Sequence, residues 1–242
     1  MSSGAPRELP RFTIAEHLEE LRRRLAVCLL AVLAGSAASL AFCDRIIEWL
    51  KRPAGTLLSR FAFFSPTEAV VAYTKLVVFS GLVLALPVVW WQVWAFVRPA
   101  LTAQERWRAA WFVWWGSVLF VLGGAFAYTV CLPMFLAFLL GIGRPYLEPV
   151  ISINQYLAFV TGIMLMCGVL FQLPLVIVVF TRLGVISHET LRRYRSLALL
   201  GMLIVAAIAT PTTDAVSLIL VTIPIVVLYE VGIILSRVSR GR

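Results

Sequence analysis

Hydrophobic residues dominate six long stretches of the chain, and polar residues collect between them. The six stretches are residues 25–43, 76–97, 109–131, 157–181, 196–209 and 215–235. A helix that crosses the hydrocarbon core of a membrane needs about 20 mostly apolar residues, and these segments reach or approach that length. The pattern predicts an all-α polytopic membrane protein, with six transmembrane helices in a single domain that covers residues 1–242.

Composition excludes the class of water-soluble globular proteins. Hydrophobic residues make up 61% of the chain, charged residues only 14%, and the mean hydropathy is +0.94, whereas soluble domains carry about 25% charged residues. The net charge of +9 does not indicate a nucleic-acid partner, because basic residues in a membrane protein mostly mark cytoplasmic loops. The four cysteines are scattered through apolar stretches and are typical of core positions.

Basic residues divide unevenly between the two sides that the six segments define. Fifteen of the 21 lysines and arginines fall before the first segment, after the sixth, or in the connections that follow the second and fourth. Since cytoplasmic loops retain Lys and Arg, we expect both termini to be cytoplasmic. Residues 1–24 would then form an amphipathic cytoplasmic N-terminus, and 236–242 a short basic cytoplasmic tail.

The fifth segment is short for a membrane span. Residues 196–209 number 14, which gives about 21 Å of helix against a hydrocarbon core of about 30 Å. A short turn at 210–214 then leads into the sixth segment. We therefore expect short fifth and sixth helices that form a tight antiparallel hairpin, with Asp214 capping the start of the sixth.

A long connection follows the first segment on the side opposite the termini. Residues 44–74 contain an amphipathic piece at 46–50 and a helix-start pattern at 65–68. In that pattern Ser65 can cap a helix, Pro66 can occupy its first position and Glu68 can close a capping box. We therefore expect a structured outer loop that lies along the membrane interface.

Residues 14–25 have apolar side chains at helical spacing and predict an amphipathic helix that runs into the first segment. Two pairs four residues apart, Glu19 with Arg23 and Glu20 with Arg24, can each stabilise this helix by about 0.2–0.5 kcal/mol. We favour that role alone for Glu19. Glu20 lies about one turn before the apolar run, where an interfacial carboxylate can also receive a cationic ligand.

A second acidic candidate follows the second segment. Thr102 and Glu105 match a Thr-x-x-Glu capping box for the third predicted helix. A capping glutamate can still offer an oxygen to an incoming guanidinium. Capping and ligand binding are therefore compatible for Glu105, and both stay open.

Gln172 is a polar residue inside the fourth segment, ten residues before Arg182 and hence about 15 Å deep. Pro174 frees the carbonyl of Leu170, because proline lacks an N–H group. Two interpretations stay open. Gln172 satisfies that freed carbonyl, or it offers hydrogen bonds, each of about 1 kcal/mol, to a polar group on another transmembrane helix.

Glu230 lies about two turns inside the end of the sixth segment, and the nearest basic residue of its own predicted helix is Arg237. An acid at this depth needs a partner. We expect a hydrogen bond from another helix or a bound proton, and we favour a helix-packing role for this side chain.

Motifs that carry catalysis are missing from the sequence. The chain has no GxSxG, HExxH, P-loop or glycine-rich dinucleotide turn, and both histidines lie outside the apolar segments. We therefore expect no enzyme activity, no metal and no cofactor. A small-solute transporter and a structural membrane scaffold remain as competing classes, although the apolar segments lack the buried charges of an ion-coupled transporter.

Seven motifs occur in an order that covers nearly the whole chain. They are HLEELR at 17–22, FSPTE at 64–68, QVWAFVRPAL at 92–101, ER at 105–106, GVLFQLP at 168–174, TPTTD at 210–214 and LYEVG at 228–232. Together they resemble the TatC family, the multispanning signal-peptide receptor subunits of the twin-arginine protein translocase. The resemblance implies recognition of Arg-Arg signal peptides on folded proteins in the bacterial cytoplasmic membrane. It further implies export with the single-span partners TatA and TatB, further TatC copies in the complex, and use of the proton-motive force.

The resemblance also implies roles for individual residues. By position, Glu20 and Glu105 are similar to the acids that receive the two arginines of the signal, with Arg22 and Phe96 nearby. Gln172 resembles a position in the fourth span, often Glu in relatives, that faces a concave cavity and engages partner helices. A neutral Gln cannot form an ion pair or carry a proton there. Structural or packing roles are implied for Pro66, Glu68, Pro99, Pro174, Asp214 and Glu230.

Elementary geometry suits two acids on one membrane face. Consecutive side chains of an extended peptide point to opposite sides, so adjacent arginines require two separated carboxylates. A guanidinium binds a carboxylate through two parallel hydrogen bonds that an ammonium cannot reproduce. Lysine should therefore be a poor substitute for arginine in the ligand.

Overall fold

The computed structural model describes residues 14–57, 61–98, 109–141, 150–209 and 215–240, and their regular elements are helices. In chain order these helices are α1 Ile14–Ser39, α2 Cys43–Lys51, α3 Glu68–Val97, α4 Ala109–Phe126, α5 Leu132–Gly141, α6 Ile153–Leu170, α7 Leu173–Arg182, α8 His188–Arg193, α9 Arg195–Ala209 and α10 Ala215–Arg240. The all-α prediction is confirmed for this part of the chain.

Four helical stretches among the described residues are long and apolar enough to cross a membrane. They are Ala15–Gly55, Glu68–Val97, Ala110–Gly141 and Ile153–Arg182, and a shorter apolar helix follows at Arg195–Ala207. Many large apolar side chains on these stretches are exposed on the outside of the bundle, among them Leu30 and Leu84. Such a surface requires an apolar solvent.

The helices α1 and α3 form an antiparallel pair held together by small residues. A methyl group added at Gly35 would lie 2.6 Å from the carbonyl oxygen of Gly81, so the two backbones touch at this crossing. Near the same level the Ser39 hydroxyl donates to the Val77 carbonyl at 3.2 Å. Close backbone approach through small residues is the usual way in which membrane helices associate.

The third and fourth spans differ from their predicted bounds. The third continues past residue 131 through one π-helical turn, Ala127–Cys131, into α5 and ends at Gly141. Pro133 is accommodated because the π-helical turn directly before it locally changes the hydrogen-bond ladder of the helix. The fourth is two helices, α6 and α7, separated by a turn at 171–172, because Pro174 interrupts the hydrogen-bond ladder.

The predicted hairpin of two short helices is wrong for its second helix. The helix α9 has 15 residues, but α10 has 26 and extends to Arg240. The stretch predicted as a basic tail from residue 236 is thus helical through Arg240, because residues 236–240 include neither Gly nor Pro. The turn at 210–214, including Asp214, lies outside the described residues.

Residues 43–57 and 61–68 close one end of the bundle, here called the capped end. The hydroxyl of Tyr156 donates to the Leu50 carbonyl and that of Tyr128 to the Trp49 carbonyl, each at 2.8 Å. The rings of Trp49 and Tyr128 stack at 4.0 Å. A short bridge between Ala62 and Ser152 adds backbone hydrogen bonds. The connection is therefore structured, as predicted.

The predicted capping box at the start of α3 forms in part: the Glu68 carboxylate bonds the backbone of Ser65 as predicted, whereas the Ser65 hydroxyl contacts that of Thr67. The helix begins at Glu68 with Thr67 before it, and Pro66 lies in the preceding turn rather than at the first helical position. The Glu68 carboxylate accepts from the Phe64 N–H at 2.6 Å and from the Ser152 hydroxyl. The bond to Ser152 is a tertiary contact that local spacing does not encode.

Candidate functional site

Antiparallel packing brings the start of α1 beside the end of α3, at what is here called the arginine-rich end of the bundle. The ring of His17 stacks on Phe96 with centroids 4.5 Å apart. About two turns further along α1, Arg24 faces Gln92 of α3. Polar and aromatic groups from two helices therefore meet around Glu20.

Glu20 binds a guanidinium in this structure, and that guanidinium belongs to Arg24. The Nε and Nη2 atoms of Arg24 donate to Glu20 Oε1 at 3.2 and 2.5 Å. Its Nη1 atom donates to Gln92 Oε1 at 3.4 Å. The exposed fractions of the two charged side chains are 21% for Arg24 and 26% for Glu20. Partial shielding from water strengthens such charge-assisted hydrogen bonds.

The other predicted i,i+4 pair is wrong. Glu19 and Arg23 are exposed, and no ion pair joins these two side chains. They face away from α3, where water screens their charges and a long side chain gains little from one fixed geometry. Arg22 is likewise exposed on α1. Of the predicted pairs, only the one facing α3 is formed.

Two predicted site residues of this region, Glu105 and Pro99, lie outside the described residues. Phe96 is half-buried on α3 and contacts His17, which the predicted site did not include. Arg24 was assigned only a helix-stabilising role, and Gln92 was given no role. Their contact spans 68 positions along the chain, and no local sequence pattern indicates it.

Gln172 is buried, with 6% of its surface exposed. Its Nε2 atom donates to the carbonyl of Gly116 on α4 at 3.1 Å and to that of Gly168 at 3.3 Å. The interpretation that Gln172 satisfies the Leu170 carbonyl freed by Pro174 is wrong, because its amide donates to the carbonyl of Gly168 instead. The alternative, a hydrogen bond to another transmembrane helix, is what forms, and the partner is a helix of the same chain.

An apolar groove of about 660 Å³ lies between α1, α3 and α4 in the half of the bundle near the capped end. Its wall includes Phe42, Trp49, Phe79, Phe120 and Met164. Gln172 is not part of this wall. The expectation that Gln172 faces a concave cavity therefore does not hold for this groove.

Glu230 has the partner on another helix that its depth required. Arg195, the first residue of α9, donates from Nη2 to Glu230 Oε2 at 2.7 Å. Next to it, the Tyr229 hydroxyl donates to the Leu191 carbonyl at 2.8 Å. These contacts fasten α10 to the start of the hairpin. Both ionic side chains are more than 40% exposed, so the pair itself contributes only about 0.2–1 kcal/mol.

Among the described residues, no cluster of His, Cys, Asp or Glu could hold a metal ion. The polar groups at the arginine-rich end can bind a cation, and a planar one with several donors fits the acceptors Glu20 and Gln92. The apolar exterior of the bundle and the charged and polar side chains gathered at one end define the class of polytopic membrane proteins.

Comparison with known proteins identifies the family. Residues 16–224 match the family model of TatC, the Sec-independent protein translocase protein. The chain is 34% identical to TatC of Carboxydothermus hydrogenoformans over 225 residues, 93% of each chain. It is 35% identical to TatC of Aquifex aeolicus over 234 residues, which covers 93% of this chain and 95% of that one.

The fold agrees with this result. A crystal structure described as the twin-arginine translocase receptor TatC superposes with a TM-score of 0.80 at 33% identity, covering 93% of this chain and 100% of the other. The chain belongs to the TatC family. It is thus a component of a protein-translocation machinery, and the family is not a family of enzymes.

Proposed function

We propose that this chain is the receptor and core subunit of a twin-arginine translocase and that Glu20 binds an arginine of the signal peptide. The observation that carries the proposal is the ion pair of Glu20 with the Arg24 guanidinium, which lies partly shielded from water near the start of α1. Within the described residues both hydrogen bonds to this carboxylate end on Oε1. A signal arginine that takes the place of Arg24 can use both carboxylate oxygens, in two parallel hydrogen bonds.

The second arginine of the signal requires a second carboxylate, and we assign it to Glu105. Glu105 follows α3 by eight residues in sequence, and α3 ends beside Glu20. Phe96 and Arg22 complete the proposed surface. Phe96 offers an apolar face against His17, and exposed Arg22 stands ready for acidic or carbonyl groups of the peptide.

The proposed membrane arrangement has six spans with both termini in the cytoplasm of a bacterial cell. The helices α9 and α10 supply the fifth and sixth spans beyond the four that length and hydropathy establish. The 15-residue α9 reaches only about 22 Å, so the bilayer thins locally beside the hairpin. The excess of basic residues at the end that carries Glu20 supports a cytoplasmic location of this site.

The proposed partners are the single-span proteins TatA and TatB and further TatC copies, with the proton-motive force driving export. Gln172 is buried in this chain, so it acts on partner helices indirectly, by fixing α4 against the turn between α6 and α7. A neutral amide at this position carries no proton. Any protonation step of the transport cycle must therefore use another group.

Crosslinking of an Arg-Arg signal peptide tests the proposed receptor function. We expect Glu20→Ala and Glu105→Ala each to reduce crosslinking to full-length protein in membranes, and the double variant to reduce it further, with normal membrane insertion. Glu19→Ala is the matched control, because Glu19 is an exposed acid of the same helix. Wild-type crosslinking in the double variant would refute the assignment.

A further inference from the structure

We infer that Arg24 is an internal occupant of the signal-arginine site, and that Gln92 is a second ligand of the arginine that replaces it. The inference rests on the proposed function and deepens it. It assigns a specificity role to Gln92 and a competitor role to Arg24. Signal binding then becomes an exchange of one guanidinium for another.

The contacts of Arg24 define a site for a guanidinium. Three nitrogen atoms of one guanidinium are engaged: Nε and Nη2 by Glu20 and Nη1 by Gln92. The two acceptors come from different helices, α1 and α3, and they stand around one planar fork of donors. An ammonium group is a compact point charge and does not match acceptors spread in this way. Gln92 thus adds a geometric reason for arginine over lysine.

A signal arginine can displace Arg24 from Glu20. An i,i+4 ion pair that water reaches contributes little to stability, and Arg24 and Glu20 remain 21% and 26% exposed. Arg24 swings on a flexible side chain into water once its place is taken. It nevertheless neutralises Glu20 in the empty receptor, where an unpaired carboxylate against apolar helices would be costly. The empty site is therefore held in its binding geometry.

Removing the competitor tests the inference. The full-length protein in lipid nanodiscs is titrated with a labelled peptide carrying two adjacent arginines, and the affinity is read by fluorescence anisotropy. We expect Arg24→Gln to bind the peptide about twofold more tightly than Arg23→Gln, because the competing i,i+4 ion pair is weak. The control removes the same charge one position away, from a side chain that does not contact Glu20. Equal or weaker binding by Arg24→Gln would overturn the inference.

Gln92→Leu tests the second ligand. In the Arg24→Gln background it should weaken peptide binding about two- to fivefold and reduce the preference for the Arg-Arg peptide over a Lys-Lys peptide. Unchanged preference would overturn the role of Gln92. Unfolding temperatures check that the variants are folded. Should Arg24→Gln be unstable, Arg24→Lys, which keeps the charge but lacks the fork, must also bind more tightly than wild type.

Glu20→Gln distinguishes a failure of the proposed receptor site from a failure of the competitor role of Arg24. If Glu20→Gln leaves peptide affinity unchanged, the proposed receptor site fails and the inference fails with it. If Glu20→Gln weakens binding but Arg24→Gln does not strengthen it relative to Arg23→Gln, the receptor site stands and Arg24 is not a competitor.

Discussion

The crossing of α1 and α3 sets the geometry of the guanidinium site, and Gly81→Ala tests that dependence. Gly81 of α3 lies against Ser36 of α1. A methyl group at Gly81 would lie 2.5 Å from the backbone nitrogen of Ser36 and 2.7 Å from its Cα. It would also overlap the Ser36 hydroxyl. The nitrogen and the Cα are backbone atoms, so rotation of a side chain cannot relieve the overlap. The substitution leaves every polar group of the site in place.

The size of the effect follows from these distances. Ordinary contact begins at 3.4 Å, so α1 must move away from α3 by about 0.9 Å, at a cost of about 1–3 kcal/mol for overpacking. The bond from Arg24 to Gln92, 3.4 Å long, then exceeds hydrogen-bond length. In the Arg24→Gln background, where no internal arginine competes, we expect the affinity for an Arg-Arg peptide to fall about two- to fivefold, because Gln92 no longer reaches an arginine held by Glu20.

The assay compares Gly81→Ala with Gly162→Ala in nanodiscs, each combined with Arg24→Gln. A methyl group at Gly162 of α6 meets nothing within 4 Å, so this control should unfold no earlier than Arg24→Gln alone and bind the peptide equally well. Peptide affinity and the unfolding midpoint are measured for both variants. If Gly81→Ala matches the control in both measurements, the tight crossing does not position the site.

Two further predictions concern contacts away from this site. Gln172→Leu should lower the free energy of unfolding by about 0.5–1.5 kcal/mol, because an interhelical hydrogen bond in the membrane is lost. The affinity for an Arg-Arg peptide should stay unchanged. A changed affinity with unchanged stability would contradict the packing role. Glu68→Ala should speed amide hydrogen exchange in residues 61–68 and 150–153, since the carboxylate ties these segments together. The exposed acid Glu48 provides the matched control as Glu48→Ala, and equal exchange in the two variants would show that Glu68 is dispensable.

Much of the fold follows from hydrophobic length alone. Apolar stretches predict all four long membrane helices that the structure describes. Their ends are less predictable, because they depend on irregular turns. Pro133 marks no helix end, since a π-helical turn precedes it, whereas Pro174 does produce a break. The same residue type has opposite outcomes because the preceding backbone differs.

The site could be predicted only where helices are neighbours in sequence. The partner of Glu230 follows from hairpin geometry: α9 ends at Ala209 and α10 begins at Ala215, so antiparallel pairing places position 230 opposite 194, next to Arg195. The contact between Arg24 and Gln92 has no such rule, because a long, irregular connection separates α1 from α3. The packing of α1 against α3 is set instead by the close contact of Gly35 with Gly81.

A double-mutant cycle between protein and peptide measures the contact on which the proposed recognition depends. Affinities are determined for wild-type protein and Glu20→Gln, each with an Arg-Arg peptide and with peptides in which one arginine is replaced by glutamine. We expect one of the two arginines to couple to Glu20 by about 1 kcal/mol or more, roughly fivefold in affinity. If Glu20→Gln and the replacement of either peptide arginine have additive effects on affinity, Glu20 does not bind the signal peptide. Its ion pair with Arg24 then only stabilises α1.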